Sequence, residues 1–119
     1  MWGTKRGFGM AMGQSLVAAV LAVVAGTAFS ADLATYELAV KQGRFSPETI
    51  EVQAGQKFKL HVKNEGPGAE EFESSDLNRE KVIPAGRSAE VIIGPLAPGQ
   101  YKFIGEFHPD TARGRIIAK

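Results

Sequence analysis

An all-β Greek-key sandwich of about seven or eight short strands is the fold that the sequence predicts. Three observations point to it. Apolar and polar residues alternate over short stretches, as half-buried strands require. Clusters of Gly, Pro and Asn interrupt those stretches roughly every 8 to 12 residues. From Ala31 onward, no stretch keeps the 3.6-residue apolar period of an amphipathic helix.

Taken in order, Tyr36, Leu38 and Val40 alternate with charged or small residues and predict a first strand. Pro47 in "RFSPETIEV" bends the chain before a second strand, Thr49 to Val52, and "AGQ" then turns it. The clearest strand is "KFKLHVKN": Phe58, Leu60 and Val62 point one way, and Lys57, Lys59, His61 and Lys63 the other. "NEGPGAE" reads as a loop, and "EEFES" resumes an extended segment around Phe72. "SSDLNREKVIPAG" is less regular and has room for a single helical turn. "SAEVIIG" is a strand, "PLAPG" a turn, "QYKFIG" a strand and "GRIIAK" the last one. There is no internal repeat and no low-complexity tract.

The first 30 residues read differently. Lys5 and Arg6 precede the apolar run "SLVAAVLAVVAGTAF", and small residues follow at Ala28, Ser30 and Ala31. This is the layout of a secretory signal peptide, with cleavage expected between Ser30 and Ala31. The rival is a retained anchor, for which the run is short and broken by Gly26, since a span needs about 20 apolar residues. Cleavage would leave one exported domain, residues 31–119, not inserted in the membrane. It would also remove Met1, Met10, Met12 and Trp2, leaving a chain without Cys, Met or Trp. Without Lys5 and Arg6 the balance is 12 basic against 13 acidic residues, a net charge of −1. Nothing in that balance favours nucleic acid, which calls for a basic domain.

Two places carry candidate chemistry. His108 stands in the loop of "YKFIGEFHPDTARGRI", beside Glu106, Phe107, Pro109 and Asp110, and loops held by a rigid scaffold are where ligands usually sit. The plain alternative is an idle loop histidine. In "EEFE", a strand would put Glu71 and Glu73 on one face and Glu70 with Phe72 on the other. With Phe72 in the core, Glu70 would enter the rim of the sandwich, where a carboxylate needs a cation or donors. The alternative there is a solvated acidic edge. His61, on the lysine face of its strand, is expected to be a surface residue. No nucleophile elbow, zinc-protease helix or phosphate loop is present.

"PGQYKFIGEFHPDTARGRI" resembles the C-terminal signature of the cupredoxins, in which a Pro-Gly-x-Tyr-x-Phe strand runs into a copper-binding loop and a Gly-led last strand. Laid on this sequence, the family's cysteine position is Gly105 and its histidine position is His108. The methionine position falls near Ala112. The other histidine, which follows a loop opening with Asn, corresponds to Glu70, or to Glu71 if the loop is one residue longer. The resemblance thus implies the fold but leaves His108 alone of the four ligands. Sulfur is what retains Cu(I), so a type 1 blue copper centre is not expected, while glutamate with histidine suits iron, Cu(II), manganese or zinc.

"EEFES", "REKVIPAG" and "FHPDTARG" are similar to the cysteine-poor cupredoxin domains of EfeO-type periplasmic iron proteins and of uptake operons with an iron permease. That resemblance implies a periplasmic protein that binds or oxidises ferrous iron, with or without copper, for a membrane iron permease and its periplasmic partners. Any enzymatic role would be ferroxidase-like. The ligand set it implies is His108 with Glu70 or Glu71, and Glu73, Glu80, Glu106 and Asp110 as weaker additions. Two other readings stand beside it: a metal-free sandwich acting as an interaction module, and a Cu(II)-handling protein.

Overall fold

The computed structural model describes residues Leu33–Lys119; the expected export signal, residues 1–30, lies outside them. Among the described residues nine strands form: β1 (Ala34–Lys41), β2 (Arg44–Ser46), β3 (Thr49–Val52), β4 (Phe58–Asn64), β5 (Glu70–Ser74), β6 (Arg79–Ile83), β7 (Ser88–Ile93), β8 (Gly99–Gly105) and β9 (Arg113–Ala118). No helix forms among the described residues. One sheet has the order β2-β1-β4-β7 and the other β3-β9-β8-β5-β6, which makes the two-layer sandwich expected.

The alternation that predicts the strands also fills the core. Phe58, Leu60 and Val62 of β4 are buried with Leu38 and Val40 of β1, which pairs with β4 in parallel. From the other sheet come Phe72, Phe103 and Ile116. Phe45 closes on that layer edge-to-face, 5.1 Å from Phe103 and 6.3 Å from Phe72 between ring centres. Aromatic pairs of this kind add about 0.5–1.5 kcal/mol beyond the area they bury. With no cysteine in the chain, apolar burial and backbone pairing hold the sandwich together.

Two elements depart from the expectation. Arg44–Ser46 adds a short strand by pairing with the end of β1, so that Phe45 opposes Val40 in the core. The "SSDLNREKVIPAG" segment has no helical turn. Residues 75–78 form a tight turn closed by the Asn78 amide on the Ser75 carbonyl, and Arg79–Ile83 continues as β6. Side chains fix this turn to β8. Ser74 Oγ donates to the Lys102 carbonyl (2.6 Å), and Asp76 Oδ2 accepts from the Lys102 amide (2.8 Å). Those bonds replace ladder contacts beyond the two β5–β8 pairs, Phe72 with Gly105 and Glu73 with Ile104.

Candidate metal centre

Glu70 opens β5 and shares its inward face with Phe72 and Ser74, so alternation carries its carboxylate into the sandwich, where the residue is only 3% exposed. The loop before it is fixed by Asn64, itself buried. Asn64 Nδ2 donates to the carbonyls of Gly68 and Ile83, both at 2.9 Å, and its Oδ1 accepts from the Gly66 amide at 2.8 Å. A buried amide satisfied on three sides holds the Gly-Pro loop against β6 and sets where Glu70 starts.

His108 approaches from the β8–β9 connection, which folds back through bonds from the His108 amide to Gly105 O and from the Ala112 amide to His108 O. Thr111 Oγ1 donates to the Gly43 carbonyl (2.6 Å), tying the loop to the β1–β2 turn. Gly43 has a φ of 72°, and a Cβ there would stand 3.0 Å from His108 Cγ, so the imidazole lies directly on its backbone.

The two groups meet although they lie 38 positions apart in sequence. His108 Nδ1 is 2.5 Å from Glu70 Oε2, with the imidazole side chain 46% exposed and the carboxylate buried. The other oxygen, Oε1, accepts from the amides of Phe107 (2.9 Å) and Glu71 (3.1 Å). Both carboxylate oxygens therefore have donors, as burial of the group demands.

The space beside this pair is what the missing cysteine would need. A Cβ built on Gly105 would lie 2.8 Å from Glu70 Cδ, 2.9 Å from its Oε1 and 2.7 Å from the Ala112 Cβ. The carboxylate thus fills the volume of a side chain at position 105, and the residues present do not fit a type 1 copper centre, which also requires a thiolate the chain lacks. A harder ion suits the donors better. Oxygen and nitrogen bound to one metal at about 2.0–2.2 Å lie farther apart than 2.5 Å at ordinary coordination angles. A bridging ion and the direct contact between Glu70 and His108 are accordingly alternatives for one place.

The remaining acidic candidates lie elsewhere. Glu71 and Glu73 occupy the outward face of β5, where Glu71 is paired with Val82 and Glu73 with Glu80. The Glu106 amide donates to the Glu71 carbonyl, bringing Glu106 to the same face. These carboxylates crowd one another. Partial burial, then the Glu80 and Glu106 charges, push Glu71 above the usual carboxylate range. A hydrogen bond and then the charge of Glu106, followed by partial burial and by Glu80 and Glu71, do the same to Glu73. Asp110 is exposed in the β8–β9 loop. The structure therefore joins Glu70 to His108 and sets Glu71, Glu73, Glu80 and Glu106 outside. Among the described residues, no group of three His, Asp or Glu side chains is placed to hold one ion.

His61 is half-buried, as a central strand allows, and its Nδ1 meets Glu37 Oε1 at 2.7 Å across the β1–β4 pair. Its neighbours on the sequence are lysines, but its partner comes from the next strand. Gly43, Thr111 and the bonds of Asn64 have no signal in the sequence beyond the turn composition around them.

A two-sheet sandwich whose closing hairpin returns a histidine to the start of β5 defines the cupredoxin class. The family model of the cupredoxin-like domain matches residues 14–118, and the chain belongs to that family. An uncharacterized protein of Rickettsia prowazekii (strain Madrid E) is 42% identical over 81 residues, covering 68% of this chain and 65% of the relative's own length. Among solved structures, auracyanin A, a "blue" copper protein from Chloroflexus aurantiacus, superposes with a TM-score of 0.65 at 16% identity, over 74% of this chain and all of that one. A chain of a heme-copper terminal oxidase dimer gives 0.61 at 16% identity, over 88% of this chain and 91% of that one. At such identities the likeness is one of fold.

Proposed function

We propose that this protein is an exported, periplasmic carrier of a hard transition-metal ion, held by Glu70 and His108, and that it works in ferrous iron uptake beside a membrane permease. The observation that carries the reading is the 2.5 Å contact between His108 Nδ1 and Glu70 Oε2, at the place where the cupredoxin fold houses its sulfur centre. A carboxylate and an imidazole supply one anionic oxygen and one nitrogen, a set for iron, manganese, zinc or Cu(II). Anionic oxygen also favours ferric over ferrous iron. With two protein donors, water completes the coordination and the ion exchanges readily, which suits transfer better than permanent residence. The acidic outer face, Glu71, Glu73, Glu80 and Glu106, raises the local cation concentration nearby.

Iron rather than copper is favoured by the "EEFES", "REKVIPAG" and "FHPDTARG" resemblance, and export by the layout of the first 30 residues. Cu(II) should nevertheless outcompete Fe(II) in vitro at such a donor set, so affinity alone does not identify the cargo. Loss of growth on ferrous iron after deletion of the gene, with copper tolerance unchanged, is the result expected for an iron role.

A second reading, a metal-free interaction module, is favoured by a specific observation: Glu70 already has donors on both oxygens. Calorimetric titration of the purified protein with Fe(II), Cu(II) and Mn(II), repeated on His108→Ala, separates the two. Binding at micromolar concentrations that the substitution abolishes supports the carrier; absence of binding leaves the interaction module.

A further inference from the structure

A second site lies on the outward face of the five-stranded sheet, built by residues that the metal reading does not use. Register places Lys102 of β8 directly opposite Arg115 of β9, and Thr49 of β3 on the other side of Arg115. Arg113, two positions earlier on β9, shares that face. Like charges set directly opposite on neighbouring strands destabilise a sheet. No salt bridge among the described residues relieves the repulsion: Lys59 pairs with Glu90 and Lys119 with Glu51, and neither these nor the His61–Glu37 and His108–Glu70 contacts include Lys102, Arg113 or Arg115.

Both guanidinium groups are nonetheless held in place. Arg113 Nε donates to the Pro109 carbonyl at 2.9 Å, and Arg115 Nε donates to Thr49 Oγ1 at 3.2 Å. Anchoring through Nε leaves the terminal nitrogens of each fork to other acceptors. The three cations line an open pocket of about 360 Å³ together with Thr49, Gln100, Gly114 and Glu48. Glu48 is its one carboxylate, so the pocket carries a net charge of +2 in a chain whose overall charge is near zero.

We propose that this pocket binds a polyvalent oxyanion, phosphate or a multiply charged carboxylate, which neutralises the Lys102–Arg115 repulsion and is held by the two anchored arginine forks. Charge-assisted bonds to planar guanidinium groups are the strongest and most directional means a protein surface has for such a ligand. The site shares no lining side chain with Glu70 and His108, although the Pro109 carbonyl that anchors Arg113 directly follows His108 in the chain.

The test is titration of the isotope-labelled protein with inorganic phosphate and, separately, with citrate, following the backbone amides of Thr49, Lys102, Arg113 and Arg115 against sodium chloride of equal ionic strength. Saturable shifts with phosphate alone identify a phosphate site, with citrate alone a carboxylate site, and with both the shared chemistry. Replacing either arginine by Gln should weaken binding roughly tenfold. Glu48→Gln should tighten it, a change of opposite sign that unfolding cannot mimic. Fe(II) binding should be unaltered in Arg115→Gln, which separates failure here from failure of the carrier reading. Shifts that chloride reproduces, no saturation with either anion, or wild-type affinity in Arg115→Gln would overturn the proposal.

Discussion

The Glu70 carboxylate occupies the room that a side chain at Gly105 would need: a Cβ there would stand 2.8 Å from Glu70 Cδ. Position 105 and position 70 are therefore coupled, and the small residue at one follows from the acidic residue at the other. Gly105→Ala should destabilise the fold by about 1–3 kcal/mol through overpacking. In a Glu70→Ala background the same change should cost less, by about 1 kcal/mol, with the residual set by Ala112. Urea unfolding of the four proteins of the cycle measures this; additive effects would mean that the two positions do not share space.

His108 rests on Gly43, and the turn there has a φ of 72° with the imidazole 3.0 Å from a Cβ. Gly43→Ala combines left-handed strain with a collision against the ring. It should lower stability by about 1–2 kcal/mol and move the His108 ring resonances in an NMR spectrum, while those of His61 stay in place. Equal disturbance of both histidines would indicate a global change instead.

Asn64 joins the loop before Glu70 to β6 through three bonds. Removing them with Asn64→Ala takes a donor from the buried Ile83 carbonyl and frees the Gly66 and Gly68 groups to solvent, and should cost about 1–3 kcal/mol. Because that loop sets where β5 begins, amide exchange should rise at Gly66, Gly68 and Glu70 before it rises in β4. Thermal melting and hydrogen exchange check the two parts separately.

The outer carboxylates give a pH dependence whose sign is fixed. Folding raises the proton affinity of Glu71 and Glu73. A group whose folded-state value lies above its unfolded one stabilises the fold below the unfolded carboxylate range, and that contribution is lost as pH rises through the raised values. Near neutral pH the cluster is thus a liability. Glu73→Gln should raise the melting temperature at about pH 7 and change it little at about pH 4. A variant less stable than the wild type at neutral pH would show that Glu73 is held by a favourable partner.

The parts of this molecule that depend on local alternation are legible in its sequence. Phe58, Leu60 and Val62 alternate cleanly with Lys59, His61 and Lys63 and become an inner strand of one sheet, and the two-residue spacing of Glu70 from Phe72 is enough to turn that carboxylate inward. Register and long-range closure are not legible. Nothing local says that Lys102 faces Arg115, that Phe45 joins a three-residue strand, or that Asp76 bonds to Lys102. The meeting of Glu70 with His108 is implied by the cupredoxin resemblance alone, because a separation of 38 positions carries no distance information. That resemblance does not separate Glu70 from Glu71; the pleat does, by turning Glu71 outward.

The most direct test of a shared centre at Glu70 and His108 is whether both side chains are needed to bind one ion. Anaerobic Fe(II) titration by calorimetry of the wild type, Glu70→Gln and His108→Ala answers it. The wild type should bind Fe(II) at micromolar concentrations, and either substitution should abolish binding. Fe(II) binding that persists in either variant would contradict a shared Glu70–His108 centre.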